Sequence, residues 1–353
     1  MAPLITLAHP HVGDAEVEAA VRVLRSGQLV QGSEVAVFED EFAELVSGRH
    51  CVAVSSGTAA LHLLLRANRI GPGDEVIVPS FTFGATAHAV VHAGATPVFA
   101  DITPDTFTLD PASVAAAITD RTAAIIPVHL FGQPADMPHL NALASRHSLA
   151  VIEDAAQAVA AALDGMPAGA LGHGAAFSFY PTKNMHTIEG GMAVTADEQV
   201  ARRLRLLRNQ GMTDRYRYEL VGFHARMTDV SAAIGRVQLA ALPWWTARRQ
   251  SNAAVFNDRL RDGTIPAVFP GAVHVYHQYV IRHPDREAVR ARLSAASIET
   301  AAHYPTPVHR SPAYDDPATL PHTEQATTDV LSLPVHPHLT QADLARIITA
   351  MNT

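Results

Sequence analysis

The chain has 353 residues, and 34 acidic side chains outnumber 26 basic ones, for a net charge of −8. That balance, with no basic block, argues against a nucleic-acid binder, which carries a positive footprint. A single cysteine, Cys51, excludes an internal disulfide and any multi-cysteine metal centre. Met1 to Ala20 holds no Lys or Arg, so the basic start of a signal peptide is missing. No apolar run reaches the ~18 residues of a membrane span. The expectation is a soluble cytoplasmic protein of two domains, at about 150 residues each. Of the 26 basic residues, 25 are arginine and one, Lys183, is lysine.

In chain order, two helices come first. Asp14 is the expected N-cap of Ala15–Arg25, stopped by Gly27, and Ser33 that of Glu34–Ser47, stopped by Gly48. Short apolar runs then alternate with helical stretches. Strands are expected at Cys51–Val54, Glu75–Pro79, Pro97–Asp101, Ala123–Val128 and Leu149–Glu153. Helices follow at Thr58–Arg69, Gly84–Ala93, Pro111–Ile118 and Met137–His147. Such alternation reads as a parallel sheet covered on both faces, and continuous apolar strands fit that burial. A glycine-rich loop at Gly165–Gly174 precedes strands at Ala175–Tyr180 and Met192–Thr195. A helix over Asp197–Asn209 comes next, then one over Thr228–Leu242 that ends at Pro243. Trp244 begins a helix into a second domain. That domain mixes a strand at His274–Ile281, a helix at Arg286–Ala296 and a Pro- and His-rich stretch, His303–His338.

In open α/β sheets ligands sit beyond the carboxyl ends of the strands, and four groups fall there. Ser55-Ser56-Gly57-Thr58 opens a helix with free N–H groups, which suits a phosphate; an ordinary capped turn is the alternative. Glu153-Asp154 ends a buried strand, where carboxylates are costly without partners. Asp154 could face a protonated pyridine nitrogen or simply cap the next segment. Lys183 follows the strand Phe177-Ser178-Phe179-Tyr180 and a proline-fixed turn. Lysine forms Schiff bases because a desolvated amine loses its proton, whereas arginine stays protonated. Phe81-Thr82-Phe83 offers an aromatic for stacking or for the core. Phosphate cradle, pyridinium partner, amine and stacking ring together specify pyridoxal 5′-phosphate (PLP).

Six motifs carry a family resemblance: Ser56-Gly57-Thr58-Ala59-Ala60-Leu61, Pro79-Ser80-Phe81-Thr82-Phe83, Glu153-Asp154-Ala155-Ala156-Gln157, Phe177 through Asn184, Glu189-Gly190-Gly191 and Arg226-Met227-Thr228-Asp229. In this order, from about Ile5 to Pro337, the chain resembles the DegT/DnrJ/EryC1/StrS aminotransferases. The resemblance implies an α/β fold of the aspartate aminotransferase-like, fold-type I PLP class. It implies a PLP-binding large domain over 1–245 and a smaller α/β domain over 246–353. By the same resemblance Lys183 carries the cofactor as a Schiff base and shuttles protons, and Asp154 keeps the pyridine nitrogen protonated. Gln157 meets the 3′-oxygen side of the ring, Phe83 stacks on its face, and Gly57, Thr58 and Ser178 hold the phosphate. Homodimers with shared sites are implied, the Gly222–Met227 loop reaching the neighbour's cofactor. Here His224 stands for the family's usual Asn, Ala225 for an aromatic, Ile188 for a Gly and Gln210 for a His. Glu189, Tyr304 and His309 lie where relatives approach the sugar.

The implied reaction moves an amino group from glutamate or glutamine to a keto group of a nucleotide-linked sugar. A cyclitol or aminoshikimate-type aminotransferase, or an aromatising relative, shares these motifs. A PLP-binding regulatory protein without turnover is the alternative of another class. A dinucleotide oxidoreductase is disfavoured, since no GxGxxG follows a strand. His88 and His92 have metal-compatible spacing but no HExxH pattern or cysteine, so no metal is expected. His9, His11, His336 and His338 sit beside prolines as loop residues.

Overall fold

The computed structural model describes residues 3–353. Its centre is a seven-stranded sheet in the order His50–Val54, Gly191–Thr195, Gly174–Ser178, Ala150–Asp154, Thr122–Ile125, Glu75–Pro79, Thr96–Ala100. Gly191–Thr195 runs antiparallel to both neighbours, and the other neighbouring strands pair in parallel. The sheet is therefore mostly parallel, as the alternating pattern predicts. Its central strands are buried on both faces, which is why they read as unbroken apolar runs. The helix Gly57–Ala67 buries Leu61, Leu63, Leu64 and Leu65 on one face of the sheet. Phe38 and Phe42, on the helix Ser33–Leu45, pack with Phe177 and Phe179 on the other.

Two helix caps lie one residue before the expected ones. Gly13, not Asp14, caps Asp14–Ser26, because Glu16 reaches back to accept the Gly13 N–H at 2.9 Å. Gly32, not Ser33, caps Ser33–Leu45, and the capping acceptor comes from far along the chain. The buried Asp229 carboxylate accepts the N–H groups of Gly32 (2.7 Å), Val35 (3.1 Å) and Glu34 (3.3 Å).

Pro243 does not end its helix. One helix runs from Asp229 to Arg259 with Pro243 inside it. Proline lacks one N–H and crowds the preceding turn, but the buried Leu242 and Trp245 on either side hold the helix on course. The division expected at 245/246 thus falls within a helix, with no linker there. The core beyond it, built on Phe256, Tyr279, Leu293, Leu333 and Ile347, also takes in Ile5, whose backbone bridges Ile298.

Of the strand expected over His274–Ile281, only the end from Tyr279 forms, and a separate short strand precedes the range. Ala272–Val273 pairs with Ala162–Leu163, and Tyr279–Arg282 pairs antiparallel with Val330–Leu333. The Pro- and His-rich stretch also holds a helix, Pro321–Asp329, with proline at its first position, where a missing N–H costs nothing. Among the described residues, no helix is long and apolar enough to cross a membrane.

Candidate active site

The site lies where the carboxyl ends of several strands meet. The strand His50–Val54 leads into Ser56, which caps Gly57–Ala67 by accepting the Ala59 N–H at 3.1 Å. The Ser56 carbonyl accepts the Ala60 N–H at 3.0 Å. The first helical N–H groups, of Gly57 and Thr58, then have no acceptor among the described residues, which leaves a positive pole for an anion. Two glycines make room for this turn. A Cβ on Gly57 would sit 2.8 Å from the Ser178 Cβ, and one on Gly191 would sit 2.4 Å from the Ser56 carbonyl oxygen and 2.7 Å from the Gly57 nitrogen. Gly191→Ala is therefore expected to displace the turn. A loss of about 1–3 kcal/mol in denaturant unfolding, together with weaker cofactor uptake in a PLP titration, checks this.

Asp154 and Glu153 end the strand Ala150–Asp154 and point to opposite faces, as alternate strand residues must. Asp154 is buried, and its carboxylate accepts from the Thr86 hydroxyl at 2.8 Å and the Ala156 N–H at 3.2 Å. Burial raises its pKa, while those two donors and the Lys183 charge oppose the rise. Glu153 does a different job. Its fully buried carboxylate accepts the N–H groups of Gly169 and Gly172, both at 2.7 Å, and His129 Nε2–H at 2.9 Å. His129 Nδ1 accepts the Ala135 N–H at 3.1 Å, which places the ring proton on Nε2. Glu153 thus wraps the glycine-rich loop onto the sheet and leaves Asp154 facing the site.

Lys183 sits on a turn closed by its own N–H to the Tyr180 carbonyl at 2.9 Å. The next residue, Asn184, donates to the Val275 carbonyl at 3.0 Å, tying this turn to the C-terminal half. Burial lowers the Lys183 amine to about 8, against the pull of Asp154. Two imidazoles share its surroundings. Burial and the Lys183 charge hold His303 down at about 4 and His277 well below the usual imidazole range. Thr86, His129 and His277 carry no local sequence signal.

Gln157 is buried, accepts the Phe131 N–H at 2.7 Å and donates to the Tyr304 hydroxyl at 2.9 Å. The aromatic pair Phe81 and Phe83 divides its roles: Phe81 is fully buried, whereas Phe83 is 63% exposed and lies 6.3 Å from the Tyr304 ring. Glu189 is exposed on the approach to Gly190 and Gly191. His309 is fully buried; its ring Nδ1 shares a hydrogen bond with Ser80 Oγ at 2.6 Å, and its backbone N–H donates to that oxygen at 3.0 Å. It fastens the turn Val308–Arg310 to the sheet.

His224 is exposed, with Nε2 accepting from Arg226 Nη2 at 2.8 Å. His88 and His92 part company: His88 bonds the Tyr314 hydroxyl at 2.7 Å, and the His92 ring lies 6.1 Å from that of His62. His9, His11, His336 and His338 come together as a stacked group beside Trp245 rather than as separate loop residues. Among the described residues no group of three or more His, Cys, Asp or Glu side chains is placed to hold a metal ion.

These groups fit pyridoxal 5′-phosphate. The N–H cradle at Gly57 and Thr58, floored by Ser178 and kept open by two glycines, suits its phosphate. The buried carboxylate of Asp154 suits a protonated ring nitrogen, and the lowered amine of Lys183 suits its aldehyde. Bound there, PLP supplies an electron sink for charge on a neighbouring carbon. With PLP in place, Asp154 would keep a proton on the ring nitrogen, and Lys183 Nζ would be placed to give and take one.

The chain is similar to several known proteins. The chain is 46% identical over 342 residues to the erythromycin biosynthesis sensory transduction protein EryC1 of Saccharopolyspora erythraea, covering 95% of this chain and 93% of that one. It is 45% identical over 346 residues to the dTDP-3-amino-3,4,6-trideoxy-alpha-D-glucose transaminase of Streptomyces venezuelae, covering 96% and 91%. A Streptococcus pneumoniae protein solved in its PLP form superposes with a TM-score of 0.94 at 28% identity, covering 99% and 98%. The model of the DegT/DnrJ/EryC1/StrS aminotransferase family matches residues 10–352. The chain belongs to that family and is a PLP-dependent aminotransferase.

Proposed function

We propose that this aminotransferase moves an amino group from glutamate or glutamine to a keto carbon of a nucleotide-linked deoxysugar, in the cytoplasm. What carries the reading is an intact Lys183–Asp154 centre in a chain 45% identical, over nearly its full length, to a transaminase named for a dTDP-linked aminosugar. In this reading Gly57, Thr58 and Ser178 hold the phosphate, Gln157 meets the ring oxygen, and Phe83 covers the ring. Tyr304 and Glu189 stand on the sugar side. The exposure of Phe83, Tyr180 and Ile188 supports an entrance wide enough for a bulky substrate.

The working unit in this proposal is a homodimer with shared sites. Support comes from Val221, 90% exposed, and from the exposed Tyr216, Tyr218 and Phe223 close to it in sequence, since monomers rarely leave such apolar surface uncovered. His224 fits the neighbour's phosphate in place of the usual Asn. Its Nε2 accepts from Arg226, which leaves Nδ1–H to donate.

The test uses the pyridoxamine form against a panel of 3- and 4-keto dTDP- and UDP-sugars and of keto cyclitols. Return of the PLP absorbance with a keto nucleotide sugar is expected. Return with cyclitol ketones alone would transfer the assignment to the cyclitol class. Failure of every amino donor to convert the PLP form would mark a regulator of the kind the EryC1 relative's name describes.

A further inference from the structure

We infer that Tyr304 is a positioning residue, whose hydroxyl locks the Gln157 side-chain amide in the one orientation that leaves an N–H donor for the 3′-oxygen of the cofactor ring. The inference rests on PLP binding and is independent of which donor or sugar is used.

The orientation follows from what each partner can do. The Phe131 backbone nitrogen can only donate, so the group 2.7 Å away must be the Gln157 carbonyl oxygen. That places Nε2 at the other end, 2.9 Å from the Tyr304 hydroxyl oxygen, which accepts one of its two hydrogens. The second Nε2 hydrogen and the tyrosine's own proton have no acceptor among the described residues. Two free donors, one on a buried amide and one on a partly buried phenol, therefore meet beside Asp154, three residues before Gln157. Donors left without protein partners in a buried place imply a ligand oxygen.

Both ends of this relay are held firmly. The Tyr304 ring packs 6.3 Å from Phe81 and 6.3 Å from Phe83 and borders the cluster of Phe81, Phe107, Phe131 and Val280. At the other end Phe131 has φ +59°, a left-handed conformation unusual for a large side chain. Such backbone strain concentrates at functional positions and persists only where the surroundings impose it. The following Gly132, at φ +104°, leaves no room for a side chain, since a Cβ would lie 2.9 Å from the His277 nitrogen. Burial and the Asp154 charge both push the Tyr304 phenol up, so it stays protonated and able to donate. Without its hydroxyl, Gln157 keeps its acceptor contact but loses the contact that fixes its amide end.

A donor to the ring oxygen stabilises that oxygen as an anion and lowers the proton affinity of the lysine–cofactor chromophore. The test is a pH titration of the visible absorbance of the resting holoenzyme, with no donor or sugar present. Tyr304→Phe is expected to raise the midpoint by about one pH unit, tenfold in the protonation equilibrium. Gln157→Met, which lacks the amide but has a similar reach, is expected to raise it as well. Adding Tyr304→Phe to Gln157→Met should then change nothing further, because the tyrosine acts through the amide. An unmoved midpoint in Tyr304→Phe would overturn the inference, and so would an equal shift in both backgrounds. Should Tyr304→Phe fail to fold, an unmoved midpoint in Gln157→Met alone has the same force. A purely structural role for Tyr304 would lower stability and leave the midpoint in place.

Discussion

Lys183→Arg is expected to lower amino transfer by at least about 10⁴-fold in a chain that still folds. Arginine keeps the positive charge but not the chemistry, since a guanidinium stays protonated and forms no imine. Burial has brought the Lys183 amine to about 8, from an ordinary lysine value of 10.5. In the cofactor-free protein the amine is therefore neutral above pH 8, where PLP uptake should reach its plateau, and uptake should slow as pH falls below it. Stability follows the opposite proton inventory. Between pH 8 and 10.5 the unfolded chain still holds the proton that the folded chain has released, so stability rises with pH across that window. Below pH 8 the buried charge is a standing cost. Lys183→Met, which removes it, should raise the denaturant midpoint of the cofactor-free protein at pH 7. A midpoint unchanged or lowered would show that the amine is not held against its charge.

Asp154→Asn is expected to lower turnover by about 10²–10³-fold, the range for removing one preorganised electrostatic group. The amide is almost the same size, and its oxygen can still accept from Thr86 or Ala156. What it lacks is the negative charge opposite the ring nitrogen. The buried carboxylate is already costly to ionise, as its raised pKa shows, so the exchange should leave unfolding free energy level or slightly higher. Steady-state kinetics and denaturant unfolding separate the two effects. Turnover within tenfold of the native protein would contradict the assigned role.

Much of this site was legible because its residues announce themselves locally. Lysine is used once among 26 basic residues, directly after a buried aromatic strand. Two carboxylates close a strand that is otherwise wholly apolar. The strands between His50 and Asp154 lie within one to three residues of their expected limits, since burial on both faces writes them as unbroken apolar runs.

The rest depends on partners far apart in sequence. Thr86 reaches Asp154 across 68 positions, and Asp229 caps a helix 194 to 197 positions away. Nothing in either neighbourhood reports the other. Pro243 misled because its local rule, that proline ends helices, yields to packing on both sides. The burial of His309 is as silent in the sequence, since its partner Ser80 lies 229 positions away.

The central claim is that Lys183 is the residue that holds PLP. Its most direct test is borohydride reduction of the PLP-loaded protein followed by peptide mapping. A single cofactor-bearing peptide, modified at Lys183, the one lysine in the sequence, is predicted. Reduced protein that retains its cofactor but yields an unmodified Lys183 peptide would contradict the account.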